Sequence, residues 1–312
     1  MILCCGEALI DMIPAPTTSG EQGFVPHVGG AIFNTAITLG RLGSTAGMFT
    51  GLSRDLFGRQ LQATLSESGV ETDMVLLSDR PTTLAFVHLI DGQATYTFYD
   101  ENSAGRGVTA EDLPSLPDAV TALFFGGISL CSLPAADAYA ALATSAGAER
   151  VIMMDPNIRP GFIRDEAAYR ARLDRMFAVC DIVKVSVEDL DWLYDTSEDA
   201  LAKAERLRAA GPGIVVLTKG SAGAVGLMAD QPPCEVPAVA ADVVDTVAAG
   251  DTFNGALLSW LDGQGLLTKS RVASLAPDDL RQALAFAARA AAITVSRAGA
   301  NPPWAAEMSQ DP

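Results

Sequence analysis

This 312-residue chain is short of positive charge and of histidine. Lysine and arginine number 21 against 38 acids, a formal net charge of −17, and no long basic run offsets it. Nucleic acid and anionic membrane surfaces need a positive face, so neither is expected as a partner. Any phosphate the protein holds must be met by local devices: backbone amides, a metal ion or a few arginines. The five cysteines (Cys4, Cys5, Cys131, Cys180, Cys234) are an odd number with no C-x-x-C pair, and only His27 and His88 could join them. That set suits no zinc site and reads as reduced thiols of a cytoplasmic protein. The opening "MILCCGEALIDMIP" lacks the basic segment and long apolar run of a signal peptide, because Glu7 and Asp11 interrupt it. No apolar run approaches the ~18–20 residues that cross a bilayer.

Familiar nucleotide and hydrolase signatures are missing too. Without G-x-x-x-x-G-K-[ST] there is no Walker-type loop, and no G-x-G-x-x-G follows the first strand to mark a dinucleotide site. H-E-x-x-H and G-x-S-x-G are also absent.

What is present is a hydrophobic fraction of 49%, enough for one large core. Short β-rich runs ("MILCCGEALI", "TAGMFT", "ALFFGG", "RVIMMDPN", "DIVKVS", "GIVVLTKG") alternate with alanine-rich helical stretches such as "AADAYAALATSAGA". Continuous apolar strands between helices predict an α/β fold, a doubly wound parallel sheet covered on both faces. One segment breaks the rhythm. "LAFVHLIDGQATYTFYD" reads as two strands joined at Asp91-Gly92, a favoured hairpin turn. Tyr96 and Phe98 make one face of it aromatic. With "GFVPHV" near residue 25 it predicts a small accessory sheet, either an edge decoration or a lid over a site.

Two glycine-bearing junctions stand out. In "HVGGAIFNTAITLGRLG" a helix opens at Gly29-Gly30, and Asn34 sits one turn in, facing either a cleft or solvent. In "DVVDTVAAGDTFNGALLSWL" the apolar residues Phe253, Ala256, Leu257, Trp260 and Leu261 have helical spacing. The turn before them has almost no side-chain bulk. A helix start presents unpaired amides and a partial positive charge, and small residues such as Ala248, Ala249 and Gly250 leave those donors open to an anion. Asp251 and Thr252 are ordinary helix caps in one reading. In the other, a carboxylate beside an anion site takes a proton from a hydroxyl that attacks the anion, as phosphoryl transfer requires.

At these residues the chain resembles the ribokinase-like (PfkB) carbohydrate kinases over nearly its full length. "DTVAAGDTF" is similar to the family's C-terminal signature, "GGAIFNTAITLGRLG" to its N-terminal one, and "LSRDLFG", with Asp55 and Gly58, to a further element. Stretches such as "GEALIDMIP", "FYDENSAGR", "DPNIRPGFI" and "AGANPPW" resemble the bacterial fructokinases of that family. The resemblance implies a single kinase domain, a three-layer α/β/α sheet with lid segments at about 12–27 and 82–102. It implies transfer of the γ-phosphoryl group of Mg²⁺-bound ATP to a sugar hydroxyl, D-fructose giving fructose 6-phosphate. Asp251 would be the general base, and the amides of Ala249, Gly250 and Asp251 the anion hole, with Ala248 in the same small-residue turn.

For the sugar, the resemblance points to Asp11, Gly29, Gly30, Asn34, Asn157 and Arg159, with Tyr96 and Phe98 of the lid above. For the nucleotide it points to Lys184, Ser186, Asp189, Thr218, Lys219, Gly220 and Gly223. Asp245, Val247 and Gly299 match a monovalent-cation (K⁺) site found in part of the family. A homodimer through the lid sheet is a further implication. Two departures are visible. Many fructokinases carry glycine where this chain has Ala248, which would cost on the order of 1 kcal/mol at positive φ. The family's N-x-x-E element, tied to Mg²⁺ and phosphate, becomes Ser186 to Asp189, a shorter reach that water would fill. Rival readings are a 2-keto-3-deoxygluconate kinase, which needs a cation such as Arg159 or Arg106 for the substrate carboxylate, a ribokinase, and a non-catalytic sugar or nucleotide sensor.

Overall fold

A computed structural model of the chain describes residues 1–90 and 93–309, so the Asp91-Gly92 turn lies outside the described residues. The first half runs β1 (Ile2–Cys5), β2 (Leu9–Pro16), β3 (Gln22–Gly29), α1 (Ala31–Arg41), β4 (Ala46–Ser53), α2 (Leu56–Glu67), β5 (Val70–Glu71), β6 (Val75–Ser78), β7 (Leu84–Ile90) and β8 (Gln93–Tyr99). Then come β9 (Ala122–Gly126), α3 (Ala135–Ala146), β10 (Val151–Asp155), α4 (Glu166–Phe177), β11 (Ile182–Ser186), α5 (Val187–Leu193), α6 (Ala200–Ala209) and β12 (Ile214–Thr218). The chain ends with β13 (Ala224–Met228), β14 (Cys234–Val236), α7 (Ala249–Gly263), α8 (Lys269–Ala273), α9 (Pro277–Val295) and α10 (Ala305–Met308).

The large sheet has the order β14-β13-β12-β11-β10-β9-β1-β4-β5, with β6 beside β4. It is parallel from β12 through β1 to β5 and β6, and antiparallel where β13 and β14 close one edge. Both faces are covered, which is why its strands are apolar at every position rather than at alternate ones. Along β1, Ile2 and Cys4 pack with Phe33 of α1, Leu257 of α7 and Leu284 of α9. Leu3 and Cys5 turn the other way, to Tyr139 of α3, Leu173 of α4 and Leu207 of α6. Each such side chain contributes about 1.5–3 kcal/mol by leaving water. The three-layer α/β expectation holds. No helix among the described residues is long and apolar enough to cross a membrane.

A second sheet has the order β3-β2-β7-β8. The β2–β3 and β7–β8 pairs are antiparallel, and β2 lies parallel to β7. Its first strand starts four residues after β1 ends, so the chain runs off the carboxyl edge of the large sheet into the small one. Asp55 braces the junction from the N-terminus of α2, accepting from the Gly58 amide at 2.8 Å and from the Thr82 hydroxyl at 2.7 Å. The expectation of one aromatic face needs correction. Tyr96 and Phe98 share a face, but Phe86 packs edge-on against both Phe24 and Tyr99 on the opposite one. Those partners come from three different strands, which no single-strand alternation reveals.

Strand order reverses around β1: the chain goes outward to β4, then returns to β9 and proceeds the other way. Ligands of open α/β sheets bind at the carboxyl ends of strands flanking such a reversal. Here a cleft of about 650 Å³ opens at that place, roofed by the small sheet.

Candidate active site

Helix α7 begins in the cleft without a side-chain cap. Its N-cap residue is Ala248, whose backbone is left-handed at φ 60°. An L-residue there is strained by about 1 kcal/mol, and glycine would relieve it. The reward is an uncluttered helix start: among the described residues, the amides of Gly250 and Asp251 have no protein acceptor. A Cβ on Gly250 would sit 3.3 Å from the Lys184 ammonium, so the glycine keeps that cation close to the helix start. Thr252 is not the cap. It is buried, and its hydroxyl accepts from Thr294 of α9 at 3.0 Å, locking α7 to its neighbour.

Asp251 projects from the first turn of α7 and is only 8% exposed. Burial pushes its carboxyl from 3.8 up to about 7, opposed by a hydrogen bond from Asn34 and by the Lys184 charge. The Asn34 side-chain amide donates to Asp251 Oδ2 at 2.9 Å. One residue on, the Thr35 hydroxyl donates to the Asp251 carbonyl at 3.2 Å. Helix α1 thus fixes both the side chain and the backbone of Asp251. Oδ1 accepts from no described residue and belongs to a group whose proton affinity lies near neutrality, the range suited to a general base.

Beneath the helix start lies a buried ion pair. Lys184 Nζ on β11 donates to Asp155 Oδ2 at the end of β10 at 3.0 Å, and Asn254 of α7 donates to the same oxygen at 2.7 Å. Burial alone would depress the Lys184 ammonium, but Asp155 and Asp189 outweigh it and hold the group above its ordinary range. Lysine therefore stays charged below the open amides.

Glu7, just past β1, joins the two sheets and α1. Its carboxylate accepts from the Ala31 amide at 3.1 Å and from the Ser129 hydroxyl at 2.6 Å. Burial raises its pKa, with the Ser129 bond pulling it back. Gly30 has φ 108°, and a Cβ there would meet the Glu7 backbone oxygen at 3.0 Å, so only glycine lets α1 start against this residue. Gly29 leaves space for the Asp11 carboxylate in the same way. Asp11, on β2, lines the cleft, and burial raises its pKa to about 6.

The cleft brings together many of the expected residues. Asp11, Gly30, Asn34, Tyr96, Phe98, Asn157, Arg159, Lys184, Asp245, Val247, Ala248, Ala249, Gly250 and Asp251 all line it. Ser186, Asp189, Thr218, Lys219, Gly220 and Gly223 fall outside it, at and beyond the carboxyl ends of β11 and β12. Ser186 and Asp189 form the capping box of α5, and Asp189 Oδ1 also accepts from the Ile158 amide at 2.7 Å. Both Asp189 oxygens are thus turned to the chain's own backbone, where the expectation had a phosphate or metal tie. Asp245 accepts from the amides of Val247 at 3.0 Å and Gly299 at 2.9 Å. Among the described residues no group of three or more His, Cys, Asp or Glu could hold a metal. Arg106 lies away from the cleft, its Nε donating to the Leu133 carbonyl at 2.9 Å.

Sequence reasoning missed Glu7, Asp155 and Asn254. The first two are acids at the ends of buried apolar strands, and that placement was their one visible signal.

An uncapped helix start, a buried carboxylate beside it and a roofed cleft at the sheet's reversal describe an enzyme that handles an anion and a hydroxyl together. The family model "pfkB family carbohydrate kinase" matches residues 1–307, and the chain belongs to this family of carbohydrate kinases. It is 52% identical over 281 residues to a fructokinase of Rhizobium leguminosarum bv. trifolii, covering 90% of this chain and 86% of that one. A fructokinase of Klebsiella pneumoniae is 32% identical, with 95% and 93% covered. The crystal structure of a fructokinase with bound ATP from Xylella fastidiosa superposes with a TM-score of 0.88 at 29% identity, covering 98% of this chain and 96% of that one.

Proposed function

We propose that this carbohydrate kinase transfers the γ-phosphoryl group of Mg·ATP to D-fructose, giving fructose 6-phosphate and ADP. The observation that carries the reading is Asp251, buried beside open helix-start amides with a proton affinity near neutrality. Asp251 takes the proton of the sugar hydroxyl as its oxygen attacks the γ-phosphorus. The bond from that phosphorus to the bridging oxygen breaks, and ADP leaves with the electron pair. The amides of Ala249, Gly250 and Asp251 meet the charge on the transferring group, a device whose donors are each worth ~3–4 kcal/mol. Lys184 adds a fixed positive charge below them.

Asp11, Gly30 and Asn34 would hold the sugar hydroxyls, since carboxylate and amide groups accept from and donate to a polyol. The small sheet would act as the lid that excludes water, a competing acceptor. Its Tyr96 and Phe98 face the cleft, which supports that role. The nucleotide would run from the helix start toward Thr218, Gly220 and Gly223. Mg²⁺ commonly binds through substrate phosphates and water with few protein carboxylates. That habit fits a chain whose Asp189 is turned inward. Asp245, bridging Val247 and Gly299, is the oxygen-bearing group that suits a K⁺ site beside the anion hole. A homodimer would form through the small sheet, where Phe24, Val25 and Tyr99 are exposed. Five free cysteines suit the cytoplasm.

Arg159 on the cleft wall favours a sugar acid as the second reading. A coupled ADP-release assay with D-fructose, D-ribose, 2-keto-3-deoxygluconate, adenosine and a blank, with and without K⁺, decides between them. Turnover largely confined to fructose supports the proposal. Preference for another acceptor overturns it, and silence on all of them favours the sensor reading.

A further inference from the structure

A second cavity of about 280 Å³ adjoins the cleft. Tyr96 and Phe98 line both spaces, so the two are separated by little more than these rings and what braces them. Phe98 meets Phe162 edge-on with ring centroids 4.3 Å apart, and stacks on Tyr96 at 5.8 Å. Both phenylalanines pack on the small cluster of Leu9, Ala85 and Ile128. The partition is aromatic, and the cavity behind it is lined by Asp100, Glu101, Arg106 and Arg164. In the rear cavity Arg164 is paired with Glu101 at 2.6 Å. The Arg106 side chain donates only through Nε, to the Leu133 carbonyl, and its terminal nitrogens donate to no other described residue. A backbone hydrogen bond, Arg164 and the Arg106 charge together hold the nearby Glu101 carboxyl below its usual range.

Resting on the kinase reading above, we propose that Phe98, braced by Phe162, is a specificity-determining wall of the acceptor site. It seals the cleft from Arg106 and so leaves Arg159 as the arginine an acidic acceptor could meet there. A carboxylate pressed on the aromatic face would lose its hydration with no donor from the rings, a cost that disfavours sugar acids unless Arg159 of the cleft lining offsets it. Removing the ring joins the two cavities and lets the acid end of a six-carbon acceptor reach the free fork of Arg106. Guanidinium is suited to a carboxylate because it offers two parallel donors.

The test compares kcat/KM for D-fructose and 2-keto-3-deoxygluconate in the unaltered enzyme, Phe98→Ala, Phe162→Ala, Arg106→Gln and Phe98→Ala/Arg106→Gln. Phe162→Ala opens the same wall from outside the lid sheet and keeps the test decisive if Phe98→Ala folds poorly. Arg159 is common to all five proteins and drops out of the comparison. The acid-to-fructose ratio is expected to rise about tenfold or more in either wall variant, the scale on which pocket shape discriminates substrates. Arg106→Gln alone leaves fructose turnover within about twofold, and in the Phe98→Ala background it removes most of the gain. An unchanged ratio in both wall variants overturns the proposal, as does a gain that survives the loss of Arg106. Lack of fructose turnover by the unaltered enzyme would instead overturn the acceptor assignment itself.

Discussion

The side-chain amide of Asn34 donates to Oδ2 of Asp251 at 2.9 Å, joining residues 217 positions apart in the chain. The N-terminal and C-terminal signature segments therefore meet at Asp251, and this bond acts on the carboxylate proposed as the general base. It favours the ionised carboxylate, against a burial that pushes the group up to about 7. Without it the proton affinity rises further. For Asn34→Ala the acidic limb of the kcat/KM profile should move to higher pH, and turnover at pH 7 should fall about tenfold or more. A pH–rate profile checks this, and a limb that stays in place would show that Asn34 serves the sugar alone.

The buried pair of Lys184 and Asp155 separates a structural role from a chemical one. Removing the lysine leaves Asp155 buried and unpaired, which typically costs ~3–5 kcal/mol. Lys184→Met should therefore unfold at clearly lower denaturant concentration. Adding Asp155→Leu removes the stranded charge and should restore much of that stability. Turnover should stay low in the double variant, because the cation below the proposed anion hole is still missing. Recovery of both together would assign the pair to folding only.

Ala248 holds a left-handed backbone at φ 60°. Ala248→Gly relieves the strain but loosens the unfolded chain, and the two effects nearly offset, leaving stability within about 1 kcal/mol. Ala248→Val puts a branched side chain at the same φ and should cost more than the ~1–2 kcal/mol of alanine there, with lost turnover as the amides shift. Thermal unfolding and kcat of both variants check the order.

Burial of Asp251 also ties stability to pH. Its folded pKa of about 7 exceeds the ordinary 3.8, so between those values the folded protein holds a proton that the unfolded chain has released. Stability from this group is full below about pH 4 and declines as pH rises through 7. Asp251→Asn removes the titration. Its melting temperature relative to the unaltered protein should climb from pH 4 to pH 8, reaching about 2 °C or more above it. A difference that is flat with pH would mean that Asp251 is not held neutral by the fold.

Much of the site was legible because its parts are contiguous. The helix start, its lack of bulk and Asp251 all lie within "DTVAAGDTF", and the parallel sheet announces itself through uninterrupted apolar strands. The parts that stayed hidden are assembled from distant segments. Asp155 of β10 and Asn254 of α7 are neighbours of Lys184, which the resemblance names, only in the folded chain. Thr252 looked like a cap because its partner, Thr294, lies on α9. Ser186 and Asp189 have the spacing of a capping box. The resemblance to a phosphate-linked motif drew attention from that local function. Arg106 is close in sequence to the hairpin, yet the Phe98–Phe162 wall puts it in a different cavity.

The central claim is that Asp251 is the general base of phosphoryl transfer to a sugar. The most direct test is kcat of Asp251→Asn with D-fructose and Mg·ATP at pH 8, with fructose binding followed in parallel by calorimetry. The account predicts a fall in kcat of at least ~100-fold, while Kd for the sugar stays within about threefold. Near-normal turnover in a variant that still binds fructose would contradict it.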